Sequence, residues 1–554
     1  MTGFFDTHRG MLDKALDAAR ERGYWSPYPE APSGRIYGET AKDDGEAAFK
    51  ARLGTTYALE DHPSNGRTVG KEHSPFGLAL NVTYPAADID QLIAASKTAA
   101  AGWAQASVET RTGVCLEIIH RINRRSFEMA NAVMHTTGQA FVMAFQAGGP
   151  HAQDRAVEAV AYAYAEMTRN PATALWSKPQ GKHDPIMLSK EFRILPRGIA
   201  VTIGCATFPT WNAYPGIFAS LATGNSVIVK PHPTAILPLA LSLDIGREVL
   251  REAGFDPNVL MLAADEAGAE LTKDLVLHPD VEIVDFTGSS AFGSWIRGNA
   301  GDKLVYTEEA GVNSIVVAST DNFRGMCGNI AFSLSLYSGQ MCTAPQNIYV
   351  PRDGIETEDG HKSADGIAQG IGIAIDKLLG DPARAAGICG AIANPATLER
   401  VEKAASLGEV VRASESIEGL DGARTATPLL LKVDAGKSDA YLEERFGPIS
   451  FVVVADSAED AIARAAASAK AKGAITAAIY ATDDATLDLA ANAFSRAGVN
   501  LSCNLLGNIF VNQSSAFSDY HVTGANPSGN ACLTDTAFVA NRFRVATIRK
   551  PVAA

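Results

Sequence analysis

Two periodicities divide the chain. Residues 88–105 (DIDQLIAASKTAAAGWAQ) and 111–138 (RTGVCLEIIHRINRRSFEMANAVMHTTG) return to an apolar residue every third or fourth position, which predicts helices with one buried stripe. Short unbroken apolar runs alternate with such stretches further on: SVIVKP (226–231), VEIVDFTGSS (281–290), NSIVVAS (313–319), QNIYVP (346–351), ISFVVVAD (449–456) and AITAAIYA (474–481). Runs of this length, without a helical stripe, predict buried strands. Helical patterns separate them, among them 240–254 (ALSLDIGREVLREAG) and 291–300 (AFGSWIRGNA). Residues 191–204 read as extended, and the tail 538–551 alternates apolar with polar residues and reads as a further strand. Strands alternating with helices predict a mostly parallel sheet, and two sets of them predict two α/β domains with a break near residue 310. Residues 1 to about 70 read as a helix followed by a polar stretch punctuated by Gly and Pro, with no recognisable chemistry.

Composition narrows the partners. The 554 residues are 46% hydrophobic, enough for more than one core. A formal net charge of −14, with no long Lys/Arg run to offset it, repels phosphate backbones, so no nucleic-acid partner is expected. No apolar span reaches the ~18 residues that a bilayer crossing needs. The N-terminus mixes acids with bases and lacks an apolar block, so neither a secretory signal nor a transit peptide is expected. The seven cysteines (Cys115, Cys205, Cys327, Cys342, Cys389, Cys503 and Cys532) are widely spread, with no C-x-x-C pair and no H-E-x-x-H. That predicts free thiols in a reducing, cytoplasmic setting and no metal site.

Five short stretches hold candidate chemistry. Each has a plain structural use when taken singly. Lys230 stands at the carboxyl end of VIVKP, where open α/β sheets place ligands, and where a lysine also serves as a solvated strand end. FTGSSAFG carries Gly288, Ser289 and Gly293 into a helix start; such a start offers free amides to a phosphate, or is merely a turn. YTEEAGVNS holds Glu308 and Glu309, and LEERFGPIS holds Glu444 and Phe446 before a Gly-Pro turn. In YSGQMCTAPQNIYV, Cys342 is a nucleophile or one more buried thiol.

The order of these stretches decides between the two uses. A Lys at a strand end, then F-T-G-S, E-x-G, G-Q-x-C-T-A and E-x-F-G-P resembles the aldehyde dehydrogenase superfamily from roughly residue 75 to 550, with Glu309 and Cys342 33 positions apart. The resemblance implies an aldehyde dehydrogenase-like α/β fold of two Rossmann-like domains with a small β oligomerisation arm. Its segments would be an N-terminal extension at 1–70, a dinucleotide-binding domain at 71–309 interrupted by arm strands near 185–196, a catalytic cysteine domain at 310–502, and a return with an oligomerisation strand at 503–554. It also implies that Cys342 attacks an aldehyde and that Glu309 activates the water that hydrolyses the thioester. Glu308 does not fit the E-x-G step. Lys230 would hold the adenosine ribose, Ser289 after Gly288 the pyrophosphate, and Glu444 and Phe446 the nicotinamide ribose and ring.

Two departures from the family pattern stand out. NAD-preferring members carry a glutamate three positions after the lysine; here KPHPTA places Pro233 there, and His232 adds a donor. Without that carboxylate a 2′-phosphate is not repelled, so NADP is expected ahead of NAD. Members also read PWNFP, whose Asn binds the developing oxyanion. A gapless match from Gly198 to Lys230 puts Thr207 at that position, and Asn212 falls five residues later. Thr207 or Asn212 then serves the oxyanion.

The N-terminal segment, 206–225 and 518–543 look most like the PaaN group of phenylacetic acid degradation proteins. That likeness implies a small-molecule aldehyde, a ring-opened CoA-linked semialdehyde, oxidised to the acid. Some ring-cleaving relatives add a hydratase domain, and no stretch here is assigned to one. By analogy with the family, 186–196 and 538–551 would join subunits into a homodimer or a dimer of dimers. Two rival readings remain: a CoA-acylating reductase, whose members lack the hydrolytic glutamate, and a non-catalytic binding member, for which the Thr207 substitution speaks.

Overall fold

The protein was analysed as a computed structural model, which describes residues 3–309 and 311–552. The first helix, α1 (Gly3–Glu21), buries Phe5, Leu12, Ala15 and Ala18. Its apolar stripe lies on α2 (Val108–Arg124) and α3 (Pro150–Thr168). At Gly113 of α2 any Cβ would overlap the Phe5 backbone, so glycine allows the two helices to touch. The predicted single run 111–138 is broken. It parts at Arg125, where the Ser126 hydroxyl donates to the Asn123 carbonyl at 2.7 Å and competes with the helix ladder.

Two strands, β1 (Thr173–Gln180) and β2 (His183–Pro196), form an antiparallel hairpin. The predicted extended stretch 191–204 belongs to two sheets, because Gly198 (φ 144°) turns the chain from β2 into β3 (Ile199–Ile203). After α4 (Pro209–Ala222) come β4 (Ser226–Lys230), β5 (Leu260–Leu262), β6 (Val281–Gly288), α5 (Ser290–Asn299) and β7 (Leu304–Glu309). They make a parallel five-stranded sheet in the order β5-β4-β3-β6-β7.

The second large sheet begins with β8 (Asn313–Val317), so the change of sheet falls between Glu309 and Asn313. It continues through β9 (Pro345–Pro351), β10 (Glu409–Arg412), β11 (Leu429–Asp434), β12 (Ile449–Ala455), β13 (Thr476–Tyr480) and β14 (Asn500–Cys503). The order is β10-β11-β12-β9-β8-β13-β14, parallel except for β10 on β11. The central strands are buried along their whole length, which is why they read as unbroken apolar runs.

The last strand, β15 (Phe543–Pro551), pairs antiparallel with β2 and completes the three-stranded arm. It starts later than the tail pattern predicts, because Asp535 caps a short helix at Thr536–Ala540. Between the two, Arg542 is fully buried and holds both carboxylate oxygens of Asp285 on β6 at 2.6 and 2.8 Å. Replacing Arg542 by Ala should leave that carboxylate buried without a partner and cost about 3–5 kcal/mol, read as a lower midpoint in denaturant unfolding. Among the described residues no helix is long and apolar enough to cross a membrane.

Candidate active site

The loop that carries Cys342 is held in place before any ligand arrives. Helix 323–335 ends in a tight turn in which Tyr337 (φ 51°, ψ 33°) and Ser338 (φ 48°, ψ 41°) both take left-handed backbone. Non-glycine residues avoid that region, so the surroundings must enforce it. Three contacts do so. The Tyr337 hydroxyl donates to the Thr137 carbonyl, Ser338 Oγ donates to the Ala426 carbonyl at 2.8 Å, and Gln340 Nε2 donates to the Ala391 carbonyl at 3.0 Å. On the far side, Asn313 Nδ2 donates to the carbonyls of Cys342 and Ala344 at 2.8 and 2.9 Å. The Asn313 Oδ1 accepts from the amides of Ile475 and Thr476. The sulfur is thereby fixed relative to the second sheet.

Cys342 lies where two cavities meet. One, of about 670 Å³, runs over the carboxyl ends of the first sheet and is lined by Thr207, Lys230, His232, Gly288, Ser289, Glu309, Glu444 and Phe446, with Asn212, Glu308 and Cys342 at its inner end. The sequence candidates thus gather around one space; Gly293 stands behind it. The other cavity, of about 660 Å³, reaches Cys342 from the opposite side past Trp211, Phe332 and Phe510.

The carboxylate that faces the sulfur is Glu308, not Glu309. β7 stays extended to its end, so its last two side chains point to opposite faces. Glu308 Oε1 lies 3.7 Å from Cys342 Sγ, with the thiol as donor. Glu309 is buried against the Arg297 guanidinium of α5, beneath Gly293, where a Cβ would overlap its carboxylate. The expectation for Glu309 is corrected on that geometry: E-x-G singles out the wrong one of two adjacent acids.

Three side chains surround Glu308. Asn212 Nδ2, one turn into α4, donates to Oε1 at 2.6 Å. His521 Nε2 lies 2.8 Å from the same oxygen, and the Arg155 guanidinium lies 4.0 Å from Oε2. Burial would raise the Glu308 carboxyl, but His521, Arg155 and Asn212 outweigh it and hold it below the usual carboxylate range. The Cys342 thiol moves the other way. Loss of solvent and then the facing Glu308 carboxylate push it well up. At rest the pair is a neutral thiol against an anionic carboxylate, a donor and its base. The sulfur, carboxylate and imidazole donor atoms lie within 4.8 Å of one another, a set that zinc also takes.

Thr207 lines the first cavity, and its backbone carbonyl accepts from Gln139 Nε2 at 2.8 Å. At the far end of that cavity Lys230 Nζ pairs with Asp265 at 2.7 Å. A carboxylate therefore stands beside the lysine, supplied from the loop after β5 rather than from position 233. Sequence reasoning missed Asp265, His521 and Arg155. His521 lies in an aperiodic stretch with no motif around it, and Arg155 and Asp265 meet the site only through the fold.

The loop that carries His521 is tied to the N-terminal segment. Arg22 pairs with Asp519 at 2.8 Å, the Trp25 and Phe517 rings pack at 6.4 Å, and Glu30 pairs with His151 at the mouth of the second cavity at 2.7 Å.

A sequence model of the aldehyde dehydrogenase family matches residues 80–535. The chain belongs to that family. A NAD-dependent aldehyde dehydrogenase of Burkholderia multivorans, known from its crystal structure, is 54% identical with a TM-score of 0.98, over 100% of this chain and 99% of that one. A solved 1-pyrroline-5-carboxylate dehydrogenase, 20% identical, shares the fold with a TM-score of 0.75 over 96% of this chain and 99% of that one. The aldehyde dehydrogenase LUC3 of a Fusarium species is 28% identical over 268 residues, 48% of this chain and 52% of its own, so the chain spans about half that relative's length. The benzaldehyde dehydrogenase [NAD(+)] of Pseudomonas putida is 24% identical over 420 residues, 74% of this chain and 78% of its own. In this member of the family Cys342, the facing Glu308 and the cavity that holds Lys230 all belong to the described residues.

Proposed function

We propose that the chain oxidises an aldehyde to a carboxylic acid with a nicotinamide dinucleotide. One observation carries this: Cys342 stands at the junction of two cavities with the Glu308 carboxylate 3.7 Å away. The sulfur attacks the carbonyl carbon and its proton passes to Glu308. The new oxyanion lies within reach of the Asn212 amide, and Thr207 stands on the same wall. A nicotinamide held in the first cavity by Glu444 and Phe446 would supply the hydride acceptor, and loss of hydride from the carbon leaves an acyl thioester on Cys342. Glu308 releases that proton to solvent, takes another from a water molecule that attacks the thioester, and returns it to the departing sulfur. The acid leaves and the thiol is restored. An ionised carboxylate opposite the sulfur favours this hydrolytic course over transfer to coenzyme A, and an intact thiol and base speak against a non-catalytic role.

The donor set of the first cavity suits a dinucleotide. Gly288 and Ser289, at the start of α5, line the cavity, and the positive end of that helix's dipole suits a pyrophosphate there. Lys230 and Asp265 form a donor and acceptor pair matched to ribose hydroxyls. Glu444 and Phe446 lie at the end nearer Cys342 and would hold the nicotinamide riboside. The NADP preference expected from Pro233 rested on a missing carboxylate. Asp265 supplies one, and Glu266 and Glu270 line the same end of the cavity. We therefore propose NAD as the cofactor, with NADP disfavoured by repulsion of its 2′-phosphate. Fluorescence titration should show NAD binding at least about tenfold tighter than NADP, or ~1.4 kcal/mol, and Asp265→Asn should narrow the gap. Tighter NADP binding would restore the first expectation.

Aldehyde-dependent reduction of NAD, with the free acid as product whether or not coenzyme A is present, tests the whole reading; an acyl-CoA product would overturn it. The likeness to the PaaN group suggests a CoA-linked semialdehyde of phenylacetate catabolism, but the absence of lysine and arginine among the described residues lining the second cavity speaks against a substrate that carries phosphates. The three-stranded arm suits a homodimer contact, since Leu175 and Trp176 on its outer strand remain exposed.

A further inference from the structure

The second cavity is the one that a substrate must use, because the first is committed to the dinucleotide. Its walls next to Cys342 are Phe208, Trp211 and Met341; further out they are Met143, Phe332 and Phe510. The Phe332 and Phe510 rings stack at 4.0 Å, and at the lip Val142 and Ile509 are 52% and 64% exposed. An apolar wall therefore runs from solvent to the sulfur, and the rest of the lining is mostly polar but uncharged, with Gln146, Asn508, Asn512, Gln513, Ser514 and Ser515. Its charge is equally one-sided. Among the described residues that line it there is no lysine and no arginine. The ionisable groups are Glu30 and His151, which pair with each other, and His521, which is turned to Glu308. Arg155 is the nearby cation, but its guanidinium lies behind the Trp211 ring, 3.7 Å from the ring centroid, and faces Glu308.

We infer that the substrate is an uncharged, apolar aldehyde, aromatic or a medium-length alkyl chain, and that aldehydes bearing a carboxylate or phosphate are rejected. This deepens the aldehyde-oxidation reading and rests on it. Each added methylene gains contact with the wall worth about 0.8 kcal/mol, close to a fourfold change in kcat/KM. A carboxylate entering the same path finds no counter-charge and must lose its water.

The test is a series of initial rates with the full chain and NAD: propanal to hexanal, benzaldehyde, succinic semialdehyde, its methyl ester, and a CoA-linked aldehyde. Expected are a rise in kcat/KM of about fourfold per methylene through the short chains and efficient use of benzaldehyde. The ester should exceed the free semialdehyde by about a hundredfold, the scale of an unpaired buried charge. Val142→Arg, which places a cation at the lip, should raise the semialdehyde relative to its ester. Equal use of ester and acid, or a CoA-linked aldehyde as the best substrate, would overturn the inference while leaving aldehyde oxidation intact. If no aldehyde reduces NAD, the underlying reading falls and takes the inference with it.

Discussion

Cys342→Ser should lose aldehyde oxidation by a factor on the order of 10⁶ in kcat, as removal of a covalent nucleophile does elsewhere, while NAD still binds. The hydroxyl would sit in the same rigid turn, held by Ser338, Gln340 and Asn313, so the loss would report chemistry and not folding. Sulfur is needed for two reasons. It ionises within reach of a carboxylate base, and it leaves readily from the acyl-enzyme. Stopped-flow measurement of NADH formation against a binding titration separates the two effects. Oxidation retained by the serine variant would remove Cys342 from the mechanism.

The second large effect distinguishes two neighbours. Glu308→Gln should reduce turnover by about 10²–10⁴-fold, the range for loss of a general base. The same change removes the negative charge facing the sulfur, so the Cys342 thiol should titrate at lower pH and be alkylated faster at neutrality. Activity falling while the thiol becomes more reactive is a combination that mere misfolding would not produce. Glu309→Gln should instead keep most of its activity and cost about 1–2 kcal/mol of stability, because it loses a bond to a half-exposed arginine. The reverse pattern would reinstate Glu309. In the wild-type chain the pH dependence follows Glu308. Its carboxyl is held below its unfolded value, so its ionised form adds stability and activity above that value. Both are lost as pH falls through the depressed value. The acid limb of the rate profile should therefore lie below the usual carboxylate range.

Most strands were legible because they are buried on both faces, which writes them as continuous apolar runs. The exposed strand at 173–180 was not, since no strand among the described residues pairs with its outer edge and its residues are mixed. The grouping of Lys230, Gly288, Ser289, Glu444 and Phe446 around one cavity was legible because each lies in a short stretch with its own local signature. The choice between Glu308 and Glu309 was not fixed by the motif. Strand alternation shows that only one of them can face the sulfur, but not which one. That depends on Gly293, which lets α5 close over Glu309, and on Asn212, which helix α4 delivers to Glu308. The acid beside Lys230 was hidden for a similar reason: position 233 is one way to bring an acid there, and the loop after β5 is another.

The ties between residues 22–30 and the His521 loop bear on how this chain should be handled in the laboratory. The family pattern starts at residue 80, and a fragment trimmed to that boundary would retain Cys342, Glu308 and the cavity over the first sheet. It would lack Arg22 and Trp25, which contact Asp519 and Phe517 on the loop that carries His521, and Glu30, which pairs with His151 of α3. Expression or crystallisation fragments meant to keep these contacts should begin ahead of residue 22.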